Sequence, residues 1–261
     1  MAATYLDRIV EHHRRRAAAD TRDVDALTAE ARGCPPVRGF RSALEATARR
    51  HLAVIAEIKR RSPSKGDLNL GLDAADLART YETCGATCMS VLTDEPHFGG
   101  SATDLRTARG ACALPVIRKD FTVAPVDVCD ARLMGADCVL LIVAALSPGE
   151  VAELHALAVS IGLDVLVEIH DERELEVALA AGASLVGVNQ RDLVTFAVDH
   201  DRAVRMAAQM PGGVVRVAES GVRGRADAES LRSAGYDAVL VGESLVTSVD
   251  TCASLRELQV A

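Results

Sequence analysis

No apolar run in this 261-residue chain is long enough to cross a bilayer. The longest, residues 138–146, is less than half of the roughly 20 residues a helical span requires. Behind the arginines at positions 14 to 16 there is neither an apolar h-region nor a small-residue cleavage site, so no secretory leader is expected and the expected compartment is the cytoplasm. Positive charge is also short: the net charge is −8, which argues against a general nucleic-acid surface, because such a surface needs a basic face to displace counterions. No C-x-x-C pair occurs among Cys34, Cys84, Cys88, Cys112, Cys129, Cys138 and Cys252. An odd number of thiols scattered through apolar segments reads as reduced core residues rather than metal ligands. The seven histidines, His12, His13, His51, His97, His155, His170 and His200, show no metal-ligand spacing, and each is expected at the surface or on a helix. His170 stands apart because it follows Glu168 by two residues. The G-x-x-x-x-G-K-[ST], G-x-G-x-x-G and G-x-S-x-G motifs are all missing, which removes P-loop phosphoryl transfer, dinucleotide binding and nucleophile-elbow hydrolysis from the common options.

What is present is a rhythm. Short, β-branched apolar runs at 53–58, 88–92, 115–117, 138–143, 164–169, 185–188, 214–218 and 238–241 alternate with segments of helical period. Helices are expected at 73–84, 124–134, 148–161, 172–181 and 225–234, each followed by a glycine at 85, 135, 162, 182 or 235. Gly-Ala-Asp, Gly-Ala-Ser and Gly-Tyr-Asp recur before strands at 135, 182 and 235 and mark αβ turns of one kind. Eight such units predict a (β/α)8 TIM barrel, and the helical segments 4–19, 24–32 and 41–49 predict an N-terminal helical extension over residues 1–50. No interdomain linker is visible, so residues 1–261 are expected to form a single barrel domain.

In a barrel of this kind the chemistry belongs at the C-terminal ends of the strands. Reading each end gives Glu57 and Lys59, then Thr93 and Asp94, Lys119, Glu168, Asn189, Glu219 with Ser220, and Gly242 with Glu243, while the fourth strand offers nothing polar. Glu57 and Lys59 share one face of their strand, although an isolated E-x-K is more often an exposed ion pair of little energetic weight. Three carboxylates and two lysines at one mouth would shift one another's pKa values and supply general acids and bases. Ser220-Gly221 and Gly242-Glu243 follow the seventh and eighth strands, where barrel enzymes bind phosphate. A glycine there can equally be a plain turn residue.

These segments resemble the indole-3-glycerol phosphate synthase family. The resemblance spans nearly the whole chain and rests on Ile55-Ala56-Glu57-Ile58-Lys59-Arg60 with Ser62-Pro63-Ser64, Ser90-Val91-Leu92-Thr93-Asp94 with Phe98-Gly99-Gly100-Ser101, and Leu114-Pro115-Val116-Ile117-Arg118-Lys119-Asp120-Phe121. Leu166-Val167-Glu168, Gly187-Val188-Asn189 with Arg191-Asp192-Leu193, Ala218-Glu219-Ser220-Gly221-Val222 and Val239-Leu240-Val241-Gly242-Glu243 continue it in order.

The resemblance implies a carboxy-lyase of tryptophan biosynthesis. Its substrate would be the phosphosugar 1-(2-carboxyphenylamino)-1-deoxyribulose 5-phosphate, which loses carbon dioxide and water as the indole ring closes, with no metal and no organic cofactor. It assigns the general acid to Lys119 and shares the later proton transfers among Glu168, Lys59 and Glu57. Asn189 and Glu219 would position the sugar chain and the lysines. Phe98 and Phe121 would sandwich the aromatic ring, Lys59 would lie near the substrate carboxylate, and Arg191 would join the ionic network. Phosphate would fall to Ser62, Ser220, Gly221, Gly242 and Glu243. Arg60, Arg61 and Lys65 would be steering charges. Nucleic acid and membrane partners are not implied, and the expected state is a monomer or weak homo-oligomer. Gln190 departs from the pattern, standing where a smaller residue is expected. Two other readings of the same residues are an aldolase or isomerase using Lys59 or Lys119 as a Schiff base, and a barrel kept for partner binding.

Overall fold

The computed structural model describes residues 4–192 and 194–261; Leu193, which closes one of the motif segments above, lies outside them. The eight apolar runs form eight strands: β1 (Ala53–Ile58), β2 (Cys88–Leu92), β3 (Val116–Lys119), β4 (Cys138–Ile142), β5 (Asp164–Ile169), β6 (Leu185–Asn189), β7 (Val215–Glu219) and β8 (Ala238–Val241). Each pairs in parallel with the next, and β8 returns to β1 at Ala53↔Ala238, closing the barrel. The (β/α)8 expectation therefore holds.

Three strand ends differ from the sequence reading in an informative way. Apolar character fades at Ile117, Val188 and Ala218, but the ladder continues, pairing Leu92 with Lys119 and Asn189 with Glu219. The polar residues are the last rungs of the strands and not the first residues of the loops, so their backbones are held by the sheet.

Period-two alternation explains the rest of the barrel. One row of side chains, including Ile55, Cys88, Ile117, Leu140, Leu166, Leu185, Val217 and Leu240, fills the interior. The alternate row, including Val54, Met89, Val139, Val167, Val186 and Val239, packs outward under the helices. Counting up the inward row by twos from Ile55 reaches Glu57, from Ile117 reaches Lys119, from Leu166 reaches Glu168, and from Val217 reaches Glu219. The interior is apolar for its lower layers and ionic in its top one.

The helices expected from periodicity appear as Ala74–Thr83, Pro125–Leu133, Pro148–Ser160, Glu172–Ala180 and Arg225–Ser233. Three more, Ala102–Ala111, Arg202–Ala207 and Thr251–Leu258, cover the remaining outer positions. Ser147 and Glu150 form a reciprocal capping box at the start of the Pro148–Ser160 helix. The glycines at 135, 182 and 235 have φ of 93°, 87° and 95°, a left-handed turn that a Cβ would strain.

The N-terminal extension is three helices: α1 (Tyr5–Ala18), α2 (Val24–Arg32) and α3 (Phe40–Ala48). Phe40 and Leu44 of α3 are fully buried against the lower interior, where the Phe40 carbonyl accepts from the Cys88 thiol and the Arg41 N–H donates to Asp164 at 2.9 Å. Cys88 and Asp164 are the first residues of β2 and β5, so α3 plugs the floor of the barrel. α2 packs along Pro125–Leu133, with Thr28 Oγ1 3.5 Å from the sulfur of Cys129. α1 crosses the opposite end, anchored by Arg14 to Glu150 at 2.7 Å and by Arg16 to Asp127.

Two expectations need correction. Cys84 and Cys252 form a disulfide, their Cα atoms 4.9 Å apart, whereas Cys34, Cys88, Cys112, Cys129 and Cys138 are free. The partners sit on neighbouring outer helices 168 residues apart in sequence, a proximity that no local spacing records. The basic loop after β1 is not a set of free steering charges. It folds into a small ribbon, Arg61–Ser62 against Gly66–Asp67. Arg60 grips Asp104 through both terminal nitrogens at 2.6 and 2.9 Å, Arg61 donates to the carbonyls of Glu95 and Pro96, and Lys65 faces Glu243 at 3.7 Å.

Candidate active site

A cavity of about 710 Å³ opens at the C-terminal ends of the strands, and all fourteen residues to which the family resemblance gives a catalytic or binding role line it. Its floor is apolar, from Leu140 and Ile142 of the fourth strand and Leu240 of the eighth. At its centre the Lys119 ammonium lies 3.2 Å from Glu168 Oε2 and 3.4 Å from Glu219 Oε2. Glu168 is held on its other side by the Asn189 side-chain amide, which donates to Oε1 at 3.0 Å. Across the mouth, Lys59 pairs with Glu57 Oε1 at 2.6 Å, and the Ser90 hydroxyl donates to Oε2 at 3.1 Å. The E-x-K of β1 is therefore a buried pair in the site, not an exposed one: Glu57 is 4 % exposed.

Burial alone would raise all three carboxyls. At Glu57 burial is outweighed by the nearby ammonium groups of Lys59 and Lys119, and the group stays below the usual carboxylate range. At Glu168 burial is outweighed in the same way by Lys119, His170 and the Asn189 amide. At Glu219 burial wins: Lys119 offsets part of it, the charges of Glu168 and Glu57 add to it, and the carboxyl is pushed up to about 8. Lys119 goes the other way, since burial would lower it but Glu168, Glu219 and Glu57 together hold it well above an ordinary lysine. Of the three carboxyls in the top layer, Glu219 is therefore the one that holds a proton most readily.

The remaining residues arrange themselves around this layer. His170, on the fifth strand's loop, lies 3.7 Å from Glu168 and 3.1 Å from Glu174, whose carboxylates outweigh burial and raise it. It stands behind Glu168 and does not line the cavity. On one side, Ser62 Oγ is buried with no hydrogen-bond partner. Ser220 and Gly221 turn beside it with φ of 64° and 76°, and Gly242 places its backbone against Glu57, where a Cβ would come within 3.1 Å of the Glu57 Cβ.

Residues 6–258 match the family model described as indole-3-glycerol phosphate synthase. The chain belongs to the indole-3-glycerol phosphate synthase family. It is 50% identical over 232 residues to indole-3-glycerol phosphate synthase 2 of Streptomyces coelicolor, covering 89% of each chain. It is 47% identical over 262 residues to the indole-3-glycerol phosphate synthase of Mycolicibacterium vanbaalenii, covering 100% of this chain and 95% of that one. Among solved structures, 3-hexulose-6-phosphate synthase superposes with a TM-score of 0.62 at 16% identity, over 79% of this chain and 98% of the other. The alpha subunit of tryptophan synthase from Legionella pneumophila superposes with 0.61 at 15%, over 85% and 95%. At those identities the likeness is one of fold.

Several residues of this synthase-family mouth escaped the sequence reading. Tyr5, Leu6 and Ile9 of α1 roof the cavity, and Phe196 of the sixth loop meets Tyr5 edge-on at 5.5 Å between ring centroids. Neither aromatic lies at a strand end or in a segment that carries the family resemblance, the two signals used to find the others. Phe98 and Phe121 both line the cavity, but their centroids are 6.4 Å apart and their planes tilted by 37°. The two rings stand as a tilted aromatic pair in the cavity wall. Arg191 lines the cavity with its guanidinium tied to the Phe196 carbonyl at 3.1 Å. Gln190 is buried and turned away from the mouth, donating to the Ser220 carbonyl at 2.8 Å, so the unexpected amide joins the sixth loop to the seventh.

Proposed function

We propose that this chain closes the indole ring of indole-3-glycerol phosphate from 1-(2-carboxyphenylamino)-1-deoxyribulose 5-phosphate, releasing carbon dioxide and water. The acting unit in this reading is residues 1–261, a barrel capped by its 1–50 extension, working in the cytoplasm. The observation that carries the proposal is the Lys119 ammonium held between Glu168 and Glu219 at the centre of the mouth. Lys119 donates its proton to the ketone oxygen as the ring carbon bearing the carboxylate attacks the ketone carbon. A carbon–carbon bond forms, the carbonyl electron pair becomes a hydroxyl, and departure of carbon dioxide returns the ring to aromaticity. The hydroxyl then leaves as water with a proton from the site, and a carboxylate takes the proton released as the five-membered ring becomes aromatic. Glu168, Lys59 and Glu57 share those transfers, with the neutral Glu219 beside Lys119 as a proton reserve.

Binding follows the same layout. The unpartnered Ser62 hydroxyl and the backbones of Ser220, Gly221, Gly242 and Glu243 receive the phosphate. Lys59 and Arg191 face the substrate carboxylate, and the Phe98–Phe121 wall packs against its ring.

A Schiff-base aldolase would need a neutral amine, and the neighbouring carboxyl groups of Glu168, Glu219 and Glu57, which hold Lys119 well above an ordinary lysine, disfavour one. The deciding experiment is steady-state turnover of the carboxyphenylamino-deoxyribulose phosphate, followed by indole fluorescence. Turnover without a borohydride-trapped adduct is expected. A trapped covalent adduct, or no indole product, overturns the proposal.

A further inference from the structure

A second polar cluster sits on α1 and the loop after β2, at the edge of the cavity that Asp94 also lines, and the proposed proton transfers assign it no part. His13, expected at the surface, is buried at 1 % exposure, and its Nε2 lies 2.8 Å from Asp94 Oδ2. His97 Nδ1 approaches the same oxygen at 2.9 Å. The other oxygen of Asp94, Oδ1, is fixed from behind: it accepts from the backbone N–H groups of His97 at 2.6 Å and Phe98 at 3.3 Å, as the cap of a helical turn. Two imidazole nitrogens from separate elements therefore converge on one immobilised carboxylate oxygen, and the three ligand atoms lie within 4.8 Å of one another.

We propose that His13, Asp94 and His97 bind one divalent transition-metal ion of the zinc, cobalt or nickel class. Two imidazoles and a carboxylate are the borderline donor set that such ions take, and a site with three protein ligands keeps a fourth position open. Tetrahedral coordination at roughly 2.0 Å sets neighbouring donors about 3.3 Å apart. The two observed His–Asp94 separations of 2.8 and 2.9 Å lie within about 0.5 Å of that spacing, and the two ring nitrogens lie within 4.8 Å of each other, so closing the set takes a movement of the two imidazole rings of at most about 1.5 Å. His13 Nδ1 is buried without a protein partner, so when Nε2 turns a lone pair to the ion the N–H on Nδ1 is left unpaired, a cost that the metal–ligand bonds must offset. Asp120 Oδ1, 3.8 Å from His13 Nε2, adds negative charge beside the ion, and the His12 ring has its centroid 5.4 and 5.6 Å from those of His13 and His97.

The ion would staple α1 to the loop that carries Phe98, fixing the roof of the mouth independently of the chemistry beneath it. The sequence conceals the site because its ligands come from two segments 81 residues apart, with no repeating metal-ligand spacing.

Cobalt(II) titrated into the metal-free full-length protein is the probe. One saturable equivalent with the visible bands of a tetrahedral nitrogen and oxygen set is expected, without a thiolate charge-transfer band and reversed by zinc. His97→Ala, at a side chain 20% exposed, should weaken binding by at least about a hundredfold. Zinc should raise the Tm of the wild type and leave that of His97→Ala unmoved. His13→Ala should behave in the same way; should it not fold, the His97→Ala comparison decides alone. Absence of saturable binding, equal binding by His97→Ala, or a thiolate band from the free cysteines would each overturn the proposal.

Discussion

Lys119 is the one cation within 3.5 Å of two buried carboxyl groups among the described residues, so its removal affects the charge balance of the site as well as its acid. Lys119→Met should lower kcat by at least about a hundredfold, the usual contribution of a positioned acid. Its KM should change far less, because the phosphate and the aromatic ring are held elsewhere. Near-normal turnover would show that another group protonates the ketone. Glu219 makes a separate prediction because its carboxyl is pushed up to about 8 by burial and by two neighbouring carboxylates. A carboxyl raised in this way is neutral below that pH and ionised above it. The wild-type kcat/KM profile should therefore bend downward as pH rises through about 8, where a third negative charge appears beside Lys119. Glu219→Gln has no proton to lose there, and its profile should lack that bend whatever its absolute rate. An unchanged bend in the variant would assign the titration to a different group.

At the scale of elements, the strands were readable and the loops only partly so. Alternation along β1, β3, β5 and β7 put Ile55 with Glu57, Ile117 with Lys119, Leu166 with Glu168 and Val217 with Glu219 on shared faces, so these four candidates, named from the strand ends, all turn into the barrel. The loops carry no such period. That Arg60 would pair with Asp104, or that Phe196 would swing over toward Tyr5, depends on which loops become neighbours when the barrel closes. Gln190 shows how a residue that breaks the expected motif can still have a definite task. Its amide donates 2.8 Å to the Ser220 carbonyl and so steadies the loop assigned to phosphate. Loss of one such bond costs about 1 kcal/mol, so Gln190→Ala should raise KM roughly fivefold. Its kcat should stay near the wild-type value, since no proton-transfer group touches this amide. A fall in kcat with unchanged KM would mean the bond positions the reacting groups instead.

On the scale of the whole molecule, the N-terminal helices act at both ends of the barrel, with α3 closing the floor and α1 roofing the mouth. Their helical character was legible from periodicity, but their destinations were not, because docking is decided by surfaces far away in the chain. The same limit hid the Cys84–Cys252 bond, which ties the Thr251–Leu258 helix to the end of the Ala74–Thr83 helix. Chain entropy gives this bond its weight: a cross-link between residues 168 positions apart removes a large share of the unfolded chain's freedom. Such bonds contribute about 2–4 kcal/mol, and Cys252→Ser should lower the Tm by several degrees under non-reducing conditions. Unfolded, unreduced wild-type protein should present five reactive thiols, the number left free in the fold, and seven after reduction. Thiol reductants open such a bond, so it links the stability of the fold to the redox state of its surroundings. With added dithiothreitol the wild-type Tm should fall to that of Cys252→Ser, and the two curves should coincide. Seven thiols before reduction, or a wild-type Tm indifferent to dithiothreitol, would show that the two helices are held together by packing alone.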